Sequence, residues 1–228
     1  MVQLPGQFPG MLWVEGVVVD LLIGGDLLLV VLRNQREVTG LSKLVPYLVT
    51  EFNGHMYPTK RTDQEQRQAE HVSRHLRVLD AMHGDPNVSG CIGWCMFDYN
   101  THKDFGSGDR ICYHGVLDMY RIPKFAAYAY ASQGEPEDNV VLQPVTYWAR
   151  GERNIGGVLP LIILTNCDYV EVKFGEWPAK RVEPDRDTYP HLPHPPVVLD
   201  LLVGLAGGTL ALLGVHAFAA ARAALGRQ

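Results

Sequence analysis

The sequence predicts a mixed fold: an α/β part built like the last two units of a (β/α)₈ barrel, followed by an all-β part. Three observations carry this. Residues 46–133 read strand, helix, strand, helix, with the two strands separated by about 40 residues, the repeat of a βαβ unit. The first strand closes on a carboxylate, Glu51, and the second ends in Gly93-Trp94-Cys95-Met96-Phe97-Asp98-Tyr99, which brings an indole and a second carboxylate to the same face. From residue 138 onward the pattern changes to short β-prone runs separated by Gly, Asn and Pro, as in a β-sandwich. A doubly wound sheet would give the same strand–helix repeat, and periodicity alone does not separate the two.

The elements follow in order. Tyr47 to Thr50 is short, apolar and β-prone, as expected of a strand covered on both faces. Gly54 and Pro58 mark a loop. Thr62-Asp63-Gln64-Glu65 has the spacing of a capping box and predicts a helix start at Thr62. Val72, Leu76 and Leu79 form its apolar stripe, and Gly84-Asp85-Pro86-Asn87 ends it. Val88 to Phe97 is the second strand, and Cys91 and Cys95, four apart, are expected on one face of it. A polar, glycine-bearing loop runs from Asp98 to Tyr113, and His114 to Met119 resembles a short extended piece. Pro123 suits a helix start, and Pro123 to Ala131 is rich in alanine and aromatics.

Beyond these lie Val140-Val141-Leu142, Val158 to Leu164 and Tyr169 to Phe174. In the last, Val170-Glu171-Val172-Lys173-Phe174 alternates, so one face is expected to meet water. The organisation is therefore 1–37, an unassigned apolar segment; 38–133, the α/β part; 138–198, the β-sandwich; and 199–228, a Leu/Ala/Gly-rich tail.

Composition excludes several classes. The formal charge is −5, and 20 Lys and Arg are scattered without a basic stripe, against nucleic-acid binding. Met11 to Leu32 is apolar but is broken by Glu15, Asp20 and Asp26, against a membrane span. Leu201 to Ala221 has the length to cross a bilayer but lacks an aromatic belt, so a span is the lesser expectation. The four cysteines, Cys91, Cys95, Cys112 and Cys167, lack metal-ligand spacing and read as reduced core thiols. There is no basic n-region of a secretory signal, so the expectation is cytoplasmic. His71 and His75, one helical turn apart, have no evident third ligand and read as a solvated helix face rather than a metal pair. Asp104, Asp109 and Asp118 read as loop braces pairing with Lys103 and Arg110. No metal and no cofactor are expected.

A carboxylate at the end of a buried parallel strand is where barrels keep their chemistry, although it can merely cap the strand. Trp94, ahead of a long polar loop, is either a packing residue or a stacking platform. Asn53 and His55 contact ligand or brace the loop. Asp98 likewise holds its loop or touches ligand.

Two stretches then carry a resemblance: Glu51-Phe52-Asn53-Gly54-His55, and Gly93-Trp94-Cys95-Met96-Phe97-Asp98-Tyr99. It continues through Asn100 to Arg110, Tyr113-His114-Gly115-Val116-Leu117-Asp118 and Arg121-Ile122-Pro123-Lys124. Over residues 38–198 the chain resembles glycoside hydrolase family 2, of β-galactosidase type: the end of its catalytic barrel and the immunoglobulin-like domain that follows. The resemblance implies a retaining glycosidase acting on terminal β-linked sugars. Glu51 matches the nucleophile that closes the seventh barrel strand, Trp94 the tryptophan under the sugar, and Asp98 the acid four residues on. The implied substrate-binding residues are Trp94, His55, Asn53 and Asp98. The family's general acid/base, a glutamate after an asparagine, has no counterpart, because no Asn-Glu pair occurs in the chain. The chain is therefore expected to be a fragment, inactive alone, with a carbohydrate as its partner and with homo-oligomerisation left open. The competing expectation is a non-catalytic carbohydrate-binding or interaction module.

Overall fold

The computed structural model describes residues 11–14, 17–20, 47–52, 57–101, 109–147, 150–151, 154–155, 160–172 and 180–199. The chain divides into two compact units. One comprises Met1–Arg61 with His71–Lys124, and the other Thr62–Glu70 with Phe125–Gln228.

The first unit is organised on a four-stranded sheet in the order β1-β2-β3-β4. Strands β1 (Met11–Val14) and β2 (Val17–Asp20) form an antiparallel hairpin. β2 then runs parallel to β3 (Tyr47–Phe52), which runs parallel to β4 (Val88–Gly93). The N-terminal segment, unassigned from sequence, thus supplies two strands. The short apolar runs on either side of Glu15 are strand-length, and the pairing of β2 with β3 is a non-local choice that local pattern does not encode.

Helix α1 (Glu65–His83) connects β3 to β4. It begins three residues later than the capping-box reading. Glu65 does not reach back to Thr62; its carboxylate takes the Thr146 hydroxyl at 2.5 Å and the Tyr147 amide at 3.1 Å. Asp63 instead supports the first turn through Arg67, four residues on, at 3.5 Å. Gly84 N–H closes the far end on the Asp80 carbonyl.

The apolar stripe of α1 is as expected, with Val72 and Leu76 fully buried and Leu79 nearly so. It is wider than the sequence reading. His71 and His75 are buried, not solvated, and their Nε2 atoms lie 3.1 Å apart. Positions 68, 71, 72, 75, 76 and 79 share one helical face, so the two imidazoles are part of the packed side.

β4 stops at Gly93 instead of continuing to Phe97. Cys95 therefore lies beyond β4, so Cys91 and Cys95 are not on one strand; the Trp94–Cys95 peptide is cis. Strands β5 (Tyr99–Asn100) and β6 (Ile111–Cys112) pair antiparallel within the segment read as loop.

In the second unit, helix α2 (Phe125–Ala131) starts two residues after Pro123. A three-stranded antiparallel sheet follows, ordered β13-β10-β7, from β7 (Leu142–Pro144), β10 (Leu161–Thr165) and β13 (Val197–Leu199). The pairs β8 (Arg150–Gly151) with β9 (Asn154–Ile155), and β11 (Val170–Val172) with β12 (Lys180–Val182), are also antiparallel. Leu161, Ile163, Val170, Val172, Val197 and Leu199 form one core. Val170 and Val172 are buried and Glu171 is exposed, as the alternation predicts. All four cysteines are free. No helix among the described residues is long and apolar enough to cross a membrane.

Candidate active site

The parallel ends of β3 and β4 build the site. Val49 and Phe52 are both fully buried, and Phe52 meets the His75 ring of α1 edge-on at 5.9 Å. Residues three apart face opposite ways in a regular strand. Here the register slips: Val49 pairs with Cys91 but Phe52 with Gly93, so β3 holds one residue more than β4 across this step. Such a bulge re-aims side chains at a strand end. Glu51, next to Phe52, is half-buried. The Trp94 amide donates to the Phe52 carbonyl at 2.8 Å. Glu51 and Trp94 therefore stand at the same end of adjacent parallel strands. Trp94 remains 39% exposed, which leaves indole surface open to a ligand. Asn53 and His55 lie outside the described residues, as do Lys103 and Asp104.

Past Trp94 the chain is sewn to residues 114–117. Cys95 N–H donates to His114 O, Val116 N–H to Cys95 O, Leu117 N–H to Met96 O and Asp98 N–H to Leu117 O. Asp98 is buried, and its Oδ1 accepts from Gly115 N–H at 2.9 Å and from Lys124 Nζ at 2.6 Å. Lys124 Nζ also donates to the Thr59 carbonyl at 2.6 Å. Both side chains are at most 2% exposed. Burial pushes the Asp98 carboxyl above its usual range, against the pull of the Lys124 ammonium and the Gly115 amide. Burial likewise pushes the Lys124 ammonium down, against Asp98. Asp98 thus ties the segment after Trp94 to Gly115 and, through Lys124, to Thr59.

The outer braces differ from the sequence reading. Asp109 accepts from Tyr113 Oη at 2.6 Å and pairs with Lys60 at 3.1 Å. Asp118 pairs with Arg61 at 3.4 Å and accepts from the Tyr120 and Ile122 amides.

Sequence reasoning missed Lys124. Lys124 carried one signal: a cation just ahead of α2 opposes the helix dipole, so it needed a carboxylate elsewhere. Among the described residues no group of three or more His, Cys, Asp or Glu is placed to hold a metal.

The comparisons with known proteins agree with this frame. In fold the chain is similar to Bacteroides uniformis β-glucuronidase 2, with a TM-score of 0.60 at 18% identity, over 82% of this chain and 23% of that one. It is similar also to the Parabacteroides merdae β-glucuronidase, with a TM-score of 0.51 at 15% identity, over 74% of this chain and 22% of that one. The likeness is one of fold, a mixed arrangement of helices and strands that matches part of each of these proteins. No family model matches the chain. In sequence it is 63% identical over 170 residues to a β-galactosidase of Thermoanaerobacterium thermosulfurigenes, covering 74% of this chain and 24% of that relative. It is 59% identical over 170 residues to a β-galactosidase of Rhizobium meliloti, covering 74% of this chain and 22% of that relative. The chain is glycoside hydrolase family 2 sequence of the β-galactosidase type, and it spans about a quarter of the length of these relatives.

Proposed function

We propose that this chain carries the nucleophile half of a retaining β-galactosidase-type site. In this reading β3, α1 and β4 belong to the last part of a (β/α)₈ barrel, and residues 138–198 form an immunoglobulin-like sandwich. A retaining glycosidase sets two carboxyls about 5–5.5 Å apart. One attacks the anomeric carbon; the other protonates the departing oxygen and then activates water. Glu51 is the attacker and Trp94 a wall beneath the sugar ring. Asn53 and His55, following Glu51 in the chain, contact sugar hydroxyls. Asp98 supports the Trp94 loop from below. The observation that carries this reading is the pairing of a carboxylate and an open indole at adjacent parallel strand ends, in a stretch 63% identical to a β-galactosidase.

The chain contains no Asn-Glu pair, so it lacks the proton donor that this chemistry uses. It should then behave like an enzyme stripped of its acid/base. A dinitrophenyl β-galactoside leaves without a proton, and azide attacks without a base. The expected result is slow release of dinitrophenol that accelerates with azide and yields β-galactosyl azide, all abolished in Glu51→Gln. Azide-independent turnover of an ordinary alkyl galactoside would overturn the incompleteness. Azide-dependent release that persists in Glu51→Gln would overturn the assignment of the nucleophile. Galactoside binding without any release, unaltered in Glu51→Gln, would favour the non-catalytic binding module instead.

A further inference from the structure

The two faces of the β3–β4 pair are unequal. Strands β2, β3 and β4 run parallel, and parallel sheets ordinarily have both faces covered. Helix α1 lies on one face: Val49 and Phe52 are fully buried, and the Phe52 ring meets His75. Their partners on β4, Cys91 and Gly93, share that face. Ile92, between them, turns to the other. Thr50 and Glu51 are the two residues of β3 that stand across from Ile92 alone, so the carboxylate and the isoleucine are neighbours across the ladder. Ile92 is 54% exposed, and beyond it Trp94 is 39% and Met96 61% exposed. An isoleucine within a parallel sheet is a core residue by type, and here it is bare. β4 is also the last strand of its sheet among the described residues. The Trp94 amide points to β3, where the Phe52 carbonyl accepts it, so the Gly93 amide, one residue back, points to the open edge.

We propose that this edge and the Ile92 face are the seat of a second polypeptide: the part of a β-galactosidase-type barrel that lies ahead of the region this chain matches. It adds a parallel strand to β4, lays apolar side chains on Ile92, and carries the carboxylic acid that Glu51 lacks. Three observations choose this occupant. The bare apolar surface adjoins Glu51, so a chain seated there reaches the point about 5–5.5 Å away where the second carboxyl of a retaining site belongs. The match covers 24% of the Thermoanaerobacterium thermosulfurigenes relative, so the larger part of that protein lies outside it. A second copy of this chain, meeting β4 to β4 across a twofold axis, pairs antiparallel, against the direction of the sheet, and brings another Glu51 instead of a proton donor.

The inference rests on Glu51 being the nucleophile, and its test separates the two ideas. The whole chain is co-expressed with the portion of the T. thermosulfurigenes β-galactosidase that precedes its matching region. The same portion of the Rhizobium meliloti relative replaces it if the first does not stay in solution. The expected result is a one-to-one complex that hydrolyses methyl β-galactoside about 10²–10⁴-fold faster than the chain alone, the usual contribution of a general acid/base. Ile92→Lys puts a charge on the seat and should abolish both the complex and the gain while melting like the wild type; Ile92→Ser serves if the lysine variant does not fold. No complex in either pairing overturns the proposal, as does a complex that forms equally well with Ile92→Lys. Self-association of the chain alone, broken by Ile92→Lys, gives the face to a second copy and overturns it too. A complex without any gain in hydrolysis overturns the claim that the occupant supplies the acid. A complex whose hydrolysis persists in Glu51→Gln leaves the docking standing and sinks the nucleophile.

Discussion

At the scale of single residues, the Asp98–Lys124 pair decides whether the Trp94 loop has a floor. Its ions lie 2.6 Å apart with side chains at most 2% exposed, so solvent screens them little. Removing one partner strands the other charge, a loss of about 3–5 kcal/mol for a buried pair. Lys124→Met is therefore expected to lower the unfolding free energy by about that amount in urea titrations. Asp98→Asn combined with Lys124→Met should recover part of it, since the stranded charge is gone. If the double variant loses the sum of the two single losses, the pair is not coupled and the floor is made of something else. Gly115 is a second fixed point. A Cβ there would collide with the backbone of Phe97, Asp98 and Leu117. No side-chain rotation relieves a backbone clash, so Gly115→Ala should cost about 3 kcal/mol and release the Trp94 loop, read as faster amide exchange at Val116 and Leu117.

At the scale of elements, periodicity carried what it could. The Val72, Leu76, Leu79 stripe announced α1, and alternation announced β11, because each is a local repeat against one buried face. Glu51 was legible near a strand end because it follows a short apolar, β-prone run. What sequence did not show were places where tertiary partners override local pattern. Glu65 looked like half of a capping box but spends both oxygens on Thr146 and Tyr147. Val88 to Phe97 read as one long strand, yet the ladder leaves Gly93 and the chain turns to pair with 114–117. Polarity hid the two histidines of α1 from the apolar stripe. The Lys124 brace joins residues 65 and 26 positions apart, a separation no local window spans. One element-scale prediction follows from the thiols. Burial pushes Cys91 up to about 11 and Cys95 to about 12, so little thiolate exists at pH 8. Iodoacetamide should modify the folded chain far more slowly than the urea-unfolded chain. Native Cys91 or Cys95 reacting as fast as a free thiol would contradict the packing of β4 and the turn after it.

At the scale of the whole molecule, these groups set a pH window for stability. Burial, and after it the Lys124 charge, hold His75 down at about 3 against an ordinary 6.5. Its ring is packed on Phe52 and its Nε2 faces that of His71, so the neutral form is the one the fold accommodates. The folded state refuses a proton that the unfolded chain takes up below pH 6.5. Stability is thus fully present above that value and falls as pH drops toward 3, by about 2 kcal/mol between pH 8 and pH 5 from this one group. On the alkaline side the shift has the opposite sense. Cys91, Cys95 and Tyr99 hold their protons more tightly folded than unfolded, so the unfolded chain ionises first and stability declines above pH 9. Urea midpoints measured from pH 4.5 to 10.5 should trace a plateau between these limbs. His75→Gln keeps a polar side chain at the position without a titrating imidazole, so it should flatten the acid limb and leave the alkaline one in place. An acid limb equally steep in His75→Gln would show that the carboxylates, not the buried histidine of α1, govern acid unfolding.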